Sequence, residues 1–427
     1  MDKKRADSAS ISARPSPEQG QAAEGRGPRR RVVITGIGVV APNGIGKDEF
    51  WNHCFAGVSG IKPITLFDVS KYRCRYAGEI SNFAPEKYLG PKGLRNLDRT
   101  TLLSLVAAKM AIDDAKLDIT DENRNDIGVV LGSTMGSVHS ISEFDKEGLR
   151  EGPRYVNPAQ FPNTVINSPA SQVAIRFGLR GLNATISTGF TASLDAINYA
   201  RDMLILNRAK VLLVGGVEEL CIQTFLGFYK LGFLATAQNG TPPPYAPFGS
   251  QRCGTLLGEG GVFFMCERAE EAQRRGAHVY GELLGYGTQF NSDSLYRNDP
   301  EAKSAVAAIQ QALREAGAAP LEIDWVSSSA NSSKACDGME EKAHEAVFGS
   351  GAGVAIGTPK AMVGEAFSAA GALQVAIAIG SLELQQMLMT IDSPQHLGSK
   401  RHRDINRVLV TSVGLTGVSS ALVLGRR

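Results

Sequence analysis

Apolar and polar positions alternate along this chain in a way that predicts strands and helices by turns. After a polar stretch over residues 1–29, RVVITGIGVVAPNG from Arg31 predicts a strand running into a Gly/Pro/Asn turn. Helical spacing follows over Lys47–Ala56 and over Leu97–Leu117, the second with alanines along its face. Asp126–Ser133 reads as a buried strand, TMGSVHS after it as a loop, and Tyr155–Gln172 as a Pro- and Asn-rich connector with a helical end. The unit that organises the chain is Asn183–Glu219. There Ala184–Thr188 predicts a buried strand, Gly189 a sharp turn, Leu194–Leu206 a helix capped by Thr191 or Ser193, and Lys210–Gly215 the next strand.

Thr241–Tyr245 is a proline-rich loop and Gly258–Glu267 a strand, and the charged helix Arg268–Gly276 joins two halves. The second half repeats the alternation. His278–Gly287 is strand-like, Ala302–Ala316 helical, Ile323–Ser329 and Val354–Gly357 strands, and Ala366–Met389 a long helix of small residues. Arg407–Gly414 and Ser419–Leu424 close the chain as strands around a Gly-rich turn. The pattern predicts an α/β protein with a leader over 1–29, an N-terminal half over 30–270 and a C-terminal half over 271–427, both βαβ-rich.

Composition narrows the function classes. At 427 residues with 43% hydrophobic residues and no apolar run long enough to cross a bilayer, a membrane span is not expected. Net charge is +2, but Met1–Arg31 holds eight Lys or Arg against four Asp or Glu, a surplus of +4. The remainder is thus about −2, which gives no nucleic-acid groove. The leader lacks the apolar core of a signal peptide and reads as disordered. Six cysteines without CxxC spacing argue against a metal site and for a reducing compartment, so a cytoplasmic location is expected.

A strand–turn–helix unit projects its apex residue over a helix N-terminus, where backbone N–H groups and the helix dipole would activate a thiol. The apex here is Phe190. A place suited to a nucleophile carries a benzyl group.

RRVVITGIGVVAPNGIG, FPNTVINSPASQVAIRFGLRG, LLGEGG and the central unit together resemble a β-ketoacyl-acyl-carrier-protein synthase of the type II ketosynthase family, from about Arg30 to Leu424. The resemblance implies the thiolase fold, two halves in a layered αβαβα arrangement. It also implies a Cys nucleophile at the turn and two His residues, helped by a Lys, that promote malonyl decarboxylation. Carried over by position, the Cys falls on Phe190, the first His on Ser329 with its following Thr on Asn331, and the second His on Glu365. Lys360 and Asp337 are kept, the Lys partner becomes Gln374, and the C-terminal gate becomes Gly414-Leu415-Thr416-Gly417. No intact catalytic set remains. His344 is expected as a solvated helix residue, and Cys336 as a bystander thiol without an activating environment.

This combination resembles the chain-length-factor subunits of type II polyketide and polyene systems, whose common version has Gln where this chain has Phe190. The resemblance implies an obligate dimer, preferably a heterodimer with an active ketosynthase, with acyl carrier protein met through the complex and no cofactor or metal. It implies an acyl tunnel at the interface bordered by Gln160, Phe161, Phe190 and Leu415. The alternatives are an acyltransferase with altered chemistry and a drifted homodimeric pseudoenzyme.

Overall fold

The computed structural model describes residues 30–236, 242–243, 245–292, 299–349, 354–388, 404–415 and 417–427. The leader over 1–29, Thr241, Met389 and Thr416 lie outside the described residues. The strands are β1 (Val32–Ala41), β2 (Gly44–Ile45), β3 (Ile61–Pro63), β4 (Tyr76–Gly78), β5 (Ile127–Gly132), β6 (Asn183–Ile186) and β7 (Val211–Glu218). They continue with β8 (Gly260–Arg268), β9 (Gly281–Phe290), β10 (Trp325–Ser327), β11 (Ala355–Gly357), β12 (Arg407–Val413) and β13 (Val418–Gly425). The helices of the first half are α1 (Lys47–Phe55), α2 (Glu86–Leu89), α3 (Arg99–Ala115), α4 (Val138–Glu151), α5 (Ser168–Phe177), α6 (Ala192–Ile205) and α7 (Ile222–Lys230). Those that follow are α8 (Ala269–Arg274), α9 (Lys303–Ala316), α10 (Lys334–Phe348), α11 (Lys360–Val363) and α12 (Ser368–Leu384).

The strand order shows the same design used twice. From one edge it reads β6-β5-β7-β8-β1, and from the other β11-β10-β12-β13-β9. In each set the first three strands run parallel and the last two join antiparallel. The sets meet at β1 and β9 over only Val33↔Glu282 and Ile34↔Gly281. Helices α6 and α12 pack against strands of both sets, α3 and α5 cover one outer face, and α9 and α10 cover the other. The result is the αβαβα layering, with Arg31–Arg427 forming one compact unit.

The middle layer explains the sequence of α12. Every described residue from Ser368 to Leu382 is buried, so the helix is apolar all round rather than amphipathic. A side chain at Gly371 would come within 2.7 Å of Ser193 Oγ, so the glycine lets α12 approach α6. A Cβ at Gly132 would likewise meet the backbone of Ala192 at 2.6 Å, so that glycine seats the start of α6 against β5.

Three local expectations need correction. β6 is not a buried strand: it ends the sheet, its outer edge meets no other strand among the described residues, and Asn183 is exposed with Ala184–Ile186 half-buried. The stretch after Ser133 does not stay a loop, because α4 starts at Val138; none of its residues is fully buried. Nor does Thr191 or Ser193 cap α6, since the helix has no side-chain cap. Thr191 Oγ1 instead donates to Asp195 at 3.0 Å, and Ser193 is wholly buried against α12. Helix α7 was not anticipated at all.

Candidate functional site

Phe190 sits in a single 3-10 turn between β6 and α6 and is 6% exposed. Its ring lies edge-on to Phe367 at 5.1 Å and tilted to Phe228 at 6.3 Å, and those two rings are 4.9 Å apart. Leu415, half-buried, packs on the same cluster. The space over the helix N-terminus is filled by carbon. Phe367 holds φ +48°, a costly conformation for a side-chain-bearing residue that orients its ring into this cluster.

Beyond the rings lies a polar layer. Lys360 and Glu365 are each 1% exposed and paired at 2.7 Å. The Lys360 ammonium also donates to Ser329 Oγ at 3.1 Å, which accepts the Val413 N–H at 3.2 Å. Asn331 Nδ2 donates to Glu365 Oε2 at 2.9 Å, and the Phe367 N–H donates to Glu365 Oε1 at 3.1 Å. The fold therefore brings Ser329, Asn331, Lys360 and Glu365 into one hydrogen-bonded layer, with Phe190 packed on Phe367, two residues after Glu365.

Asp337 shapes that place without facing it. Its carboxylate accepts the N–H groups of Phe248 at 2.8 Å, Asn331 at 2.9 Å and Ser332 at 3.1 Å. Burial raises its pKa to about 6 against those bonds and against Arg252. Gln374 does not reach Lys360; its amide donates to the carbonyls of Ser327 at 3.0 Å and Thr411 at 2.9 Å, tying β10 to β12. One group escaped the sequence reading. Tyr245, in what read only as a loop, has its phenol buried beside Glu365, Asp337 and Cys336, and burial, then the Glu365 charge, push its pKa well up.

Two bystanders can be placed. Cys336 is buried, which pushes its thiol well above the ordinary value, and the thiol donates to the Ser329 carbonyl at 3.9 Å. His344 is not solvated as expected. It is 5% exposed, between the rings of Phe248 and Phe348, because α10 lies on α9 rather than on solvent.

The chemistry available follows. A phenyl ring has no lone pair for a thioester carbonyl, and a serine that accepts from an ammonium has no base beside it. The carboxylate of Glu365 would repel a malonyl carboxylate. The arrangement binds itself, since Ser329, Asn331, Lys360 and Glu365 are hydrogen-bonded to one another.

Gln160 lies elsewhere, on a 3-10 turn (Pro158–Thr164) capped by Asn157, where its Oε1 accepts from Asn163 at 3.1 Å. It borders a cavity of about 450 Å³ under α4. Phe161 is 58% exposed, its ring 6.1 Å from that of Phe144.

Residues 29–272 match the family model for the β-ketoacyl synthase N-terminal domain, and residues 280–393 that for the C-terminal domain. The chain belongs to the β-ketoacyl synthase family. The 3-oxoacyl-[acyl-carrier-protein] synthase 2 of Coxiella burnetii is 32% identical over 409 residues, 93% of this chain and 99% of that protein. Its counterpart from Vibrio cholerae is 30% identical over 411 residues, again 93% and 99%. Among solved structures, the ishigamide ketosynthase/chain length factor superposes with a TM-score of 0.84 at 28% identity, over 94% of this chain and all of that one. A type II polyketide acyl-carrier protein in complex with its ketosynthase bound to the hexaketide gives 0.82 at 27% identity, with the same coverage. The chain is a ketosynthase-like subunit with the thiolase fold. Among the described residues no helix is long and apolar enough to cross a membrane, and none of the six cysteines is in a disulfide.

The β5–α4 corner gives a pH prediction. Glu218 accepts the N–H groups of Thr134 at 2.9 Å and Met135 at 3.2 Å and the Ser368 hydroxyl at 2.6 Å, yet burial raises its pKa from 4.5 to about 7. An acid raised on folding binds more protons native than unfolded, so its stabilising contribution is full below 4.5 and lost as pH rises through 7. The shift is worth roughly 3 kcal/mol. Glu218→Gln should therefore flatten the fall in stability between pH 5 and pH 8, read from urea midpoints; an unchanged slope contradicts the assignment.

Proposed function

We propose that this chain is a non-catalytic ketosynthase-like subunit of the chain-length-factor type. It pairs with an active β-ketoacyl synthase in fatty acid, polyketide or polyene biosynthesis and shapes that partner's acyl tunnel. The observation that carries this reading is the filled turn: Phe190 packs with Phe228 and Phe367 at the place of a nucleophile, and Ser329 and Glu365, both held by Lys360, stand at the two His positions.

The open edge of β6 and the exposed apolar side chains near it supply the surface for pairing. Phe161, Val165 and Ile166 are 58%, 42% and 38% exposed on the connector that leads to α5. An obligate interface buries about 2,000 Å² or more and is apolar. The partner holds the growing chain, acyl carrier protein docks on the complex, and no metal or cofactor takes part. All of this fits a cytoplasmic assembly.

Co-expression with a competent ketosynthase should give a 1:1 complex by size exclusion. A stable monomer at micromolar concentration contradicts the reading. Within the complex Gln160 sets product length, because a closed pocket tolerates extra methylenes poorly. Gln160→Ala should lengthen products by about one two-carbon unit and Gln160→Phe shorten them, measured by mass spectrometry. Equal lengths in both variants with normal turnover would remove Gln160 from that role.

A further inference from the structure

The corner between β5 and α4 hangs from two adjacent acids at the end of β7. Glu218 takes the N–H groups of Thr134 at 2.9 Å and Met135 at 3.2 Å. Glu219 takes the N–H of His139 at 3.1 Å, in the first turn of α4. Both acids are buried, and Gly136 at φ +62° turns the chain between the two attachment points. Among the described residues neither acid has an ion-pair partner. The Asp98 charge, at the N-cap of α3, acts on Glu219 from across the corner. The nearby Arg99 guanidinium is held by both oxygens of Glu259 at 2.6 Å. The His139 ring turns to Gln223 at 3.4 Å, and the Cys221 thiol, raised by burial, brings no positive charge. Glu218 also has a place for a proton. Ser368 Oγ lies 2.6 Å from Glu218 and 2.7 Å from the Val217 carbonyl. A serine hydroxyl has one hydrogen, so once that hydrogen goes to the carbonyl, Oγ accepts from a carboxylic acid.

We propose that this corner is a proton-operated hinge: with the Glu218–Glu219 pair protonated it holds α4 to the body, and loss of the protons releases Thr134–His139 and α4 with it. Burial raises both acids from 4.5 to about 7, whereas in a released corner water returns them toward 4.5. The closed form therefore binds more protons than the released one. Its advantage is full below pH 4.5 and is lost as pH rises through 7. Between pH 6 and pH 8 each acid moves the balance toward release by about tenfold. Helix α4 carries Phe144, whose ring lies 6.1 Å from that of Phe161, so the hinge also moves the exposed apolar surface there. It acts within this chain and does not depend on the partner proposed above.

The test is hydrogen–deuterium exchange of the full chain at pH 6, 7 and 8, with rates corrected for the chemical pH dependence of exchange. Mass spectrometry follows peptides covering 133–141 and β8. The corner peptide should exchange well ahead of β8 at each pH, and its protection should fall by about tenfold or more from pH 6 to pH 8. Glu218→Gln and Glu219→Gln should each reduce that fall, and the double variant should abolish it, whatever the absolute protection. Corner protection that is absent at pH 6, or constant up to pH 8, overturns the proposal. A corner that exchanges in step with β8 overturns it too, because the opening is then global unfolding. So does a fall that persists in the double variant. Should the double variant not fold, an undiminished fall in both single variants has the same force.

Discussion

Incubated with acyl- and malonyl-acyl-carrier-protein thioesters, the purified chain should carry no acyl group by intact mass and release no condensed product. The expectation follows from atoms rather than from rates. An acyl-enzyme needs a lone pair at the turn, and Phe190 has none. Phe190→Cys should not restore condensation. The new thiol would stand among the rings of Phe228 and Phe367, and burial among carbon disfavours the thiolate. Proton transfer and charge stabilisation would also be missing, because Ser329 and Glu365 are committed to Lys360 and Asn331. General acid–base help alone is worth about 10²–10⁴-fold. The variant is expected to react with small alkylating reagents at most, with condensation below detection. A stoichiometric acyl adduct on the wild-type chain would sink this part of the account.

The second large effect concerns stability. Lys360→Ala leaves the Glu365 carboxylate buried and without its cation, and removing one partner of a buried pair costs about 3–5 kcal/mol. Urea unfolding should show that loss. The double variant Lys360→Met/Glu365→Gln removes both charges and should recover most of it, since an apolar or neutral replacement of a buried pair is often close to neutral. If Lys360→Ala fails to fold, the double variant still decides the matter. A double variant as unstable as the single one means that shape, not charge, holds the site.

Much of this architecture was legible in the chain. The strands β1, β5, β7, β8 and β13 announce themselves as apolar runs because each is buried on both faces. Helix α12 showed itself through small residues alone, and its length was overestimated at the C-terminal end, where Met389 lies outside the described residues. What stayed hidden has a common physical cause. Helix α4 has no fully buried residue, and among the described residues β6 is paired on one side only, so neither reads as an element buried on both faces. Helix α7 carries Thr224, Phe225 and Phe228 inward, and its short apolar run resembles a loop edge in sequence.

The site was half legible. The family resemblance grouped Phe190, Ser329, Lys360 and Glu365, but nothing in their spacing showed that the ammonium would sit between the serine and the glutamate. Phe228, Phe367 and Tyr245 complete the filling from three separate segments, and contacts of that range have no local signature. The surroundings of His344 failed for the same reason, because the helix face that meets α9 is decided by packing.

The most direct measurement is native mass spectrometry of the chain co-purified with its ketosynthase, after exposure to an acyl-acyl-carrier-protein thioester. The account predicts one copy of each subunit and a single acyl group, located by peptide mapping on the partner. A chain that assembles only with itself, or an acyl group mapped to this chain, contradicts it.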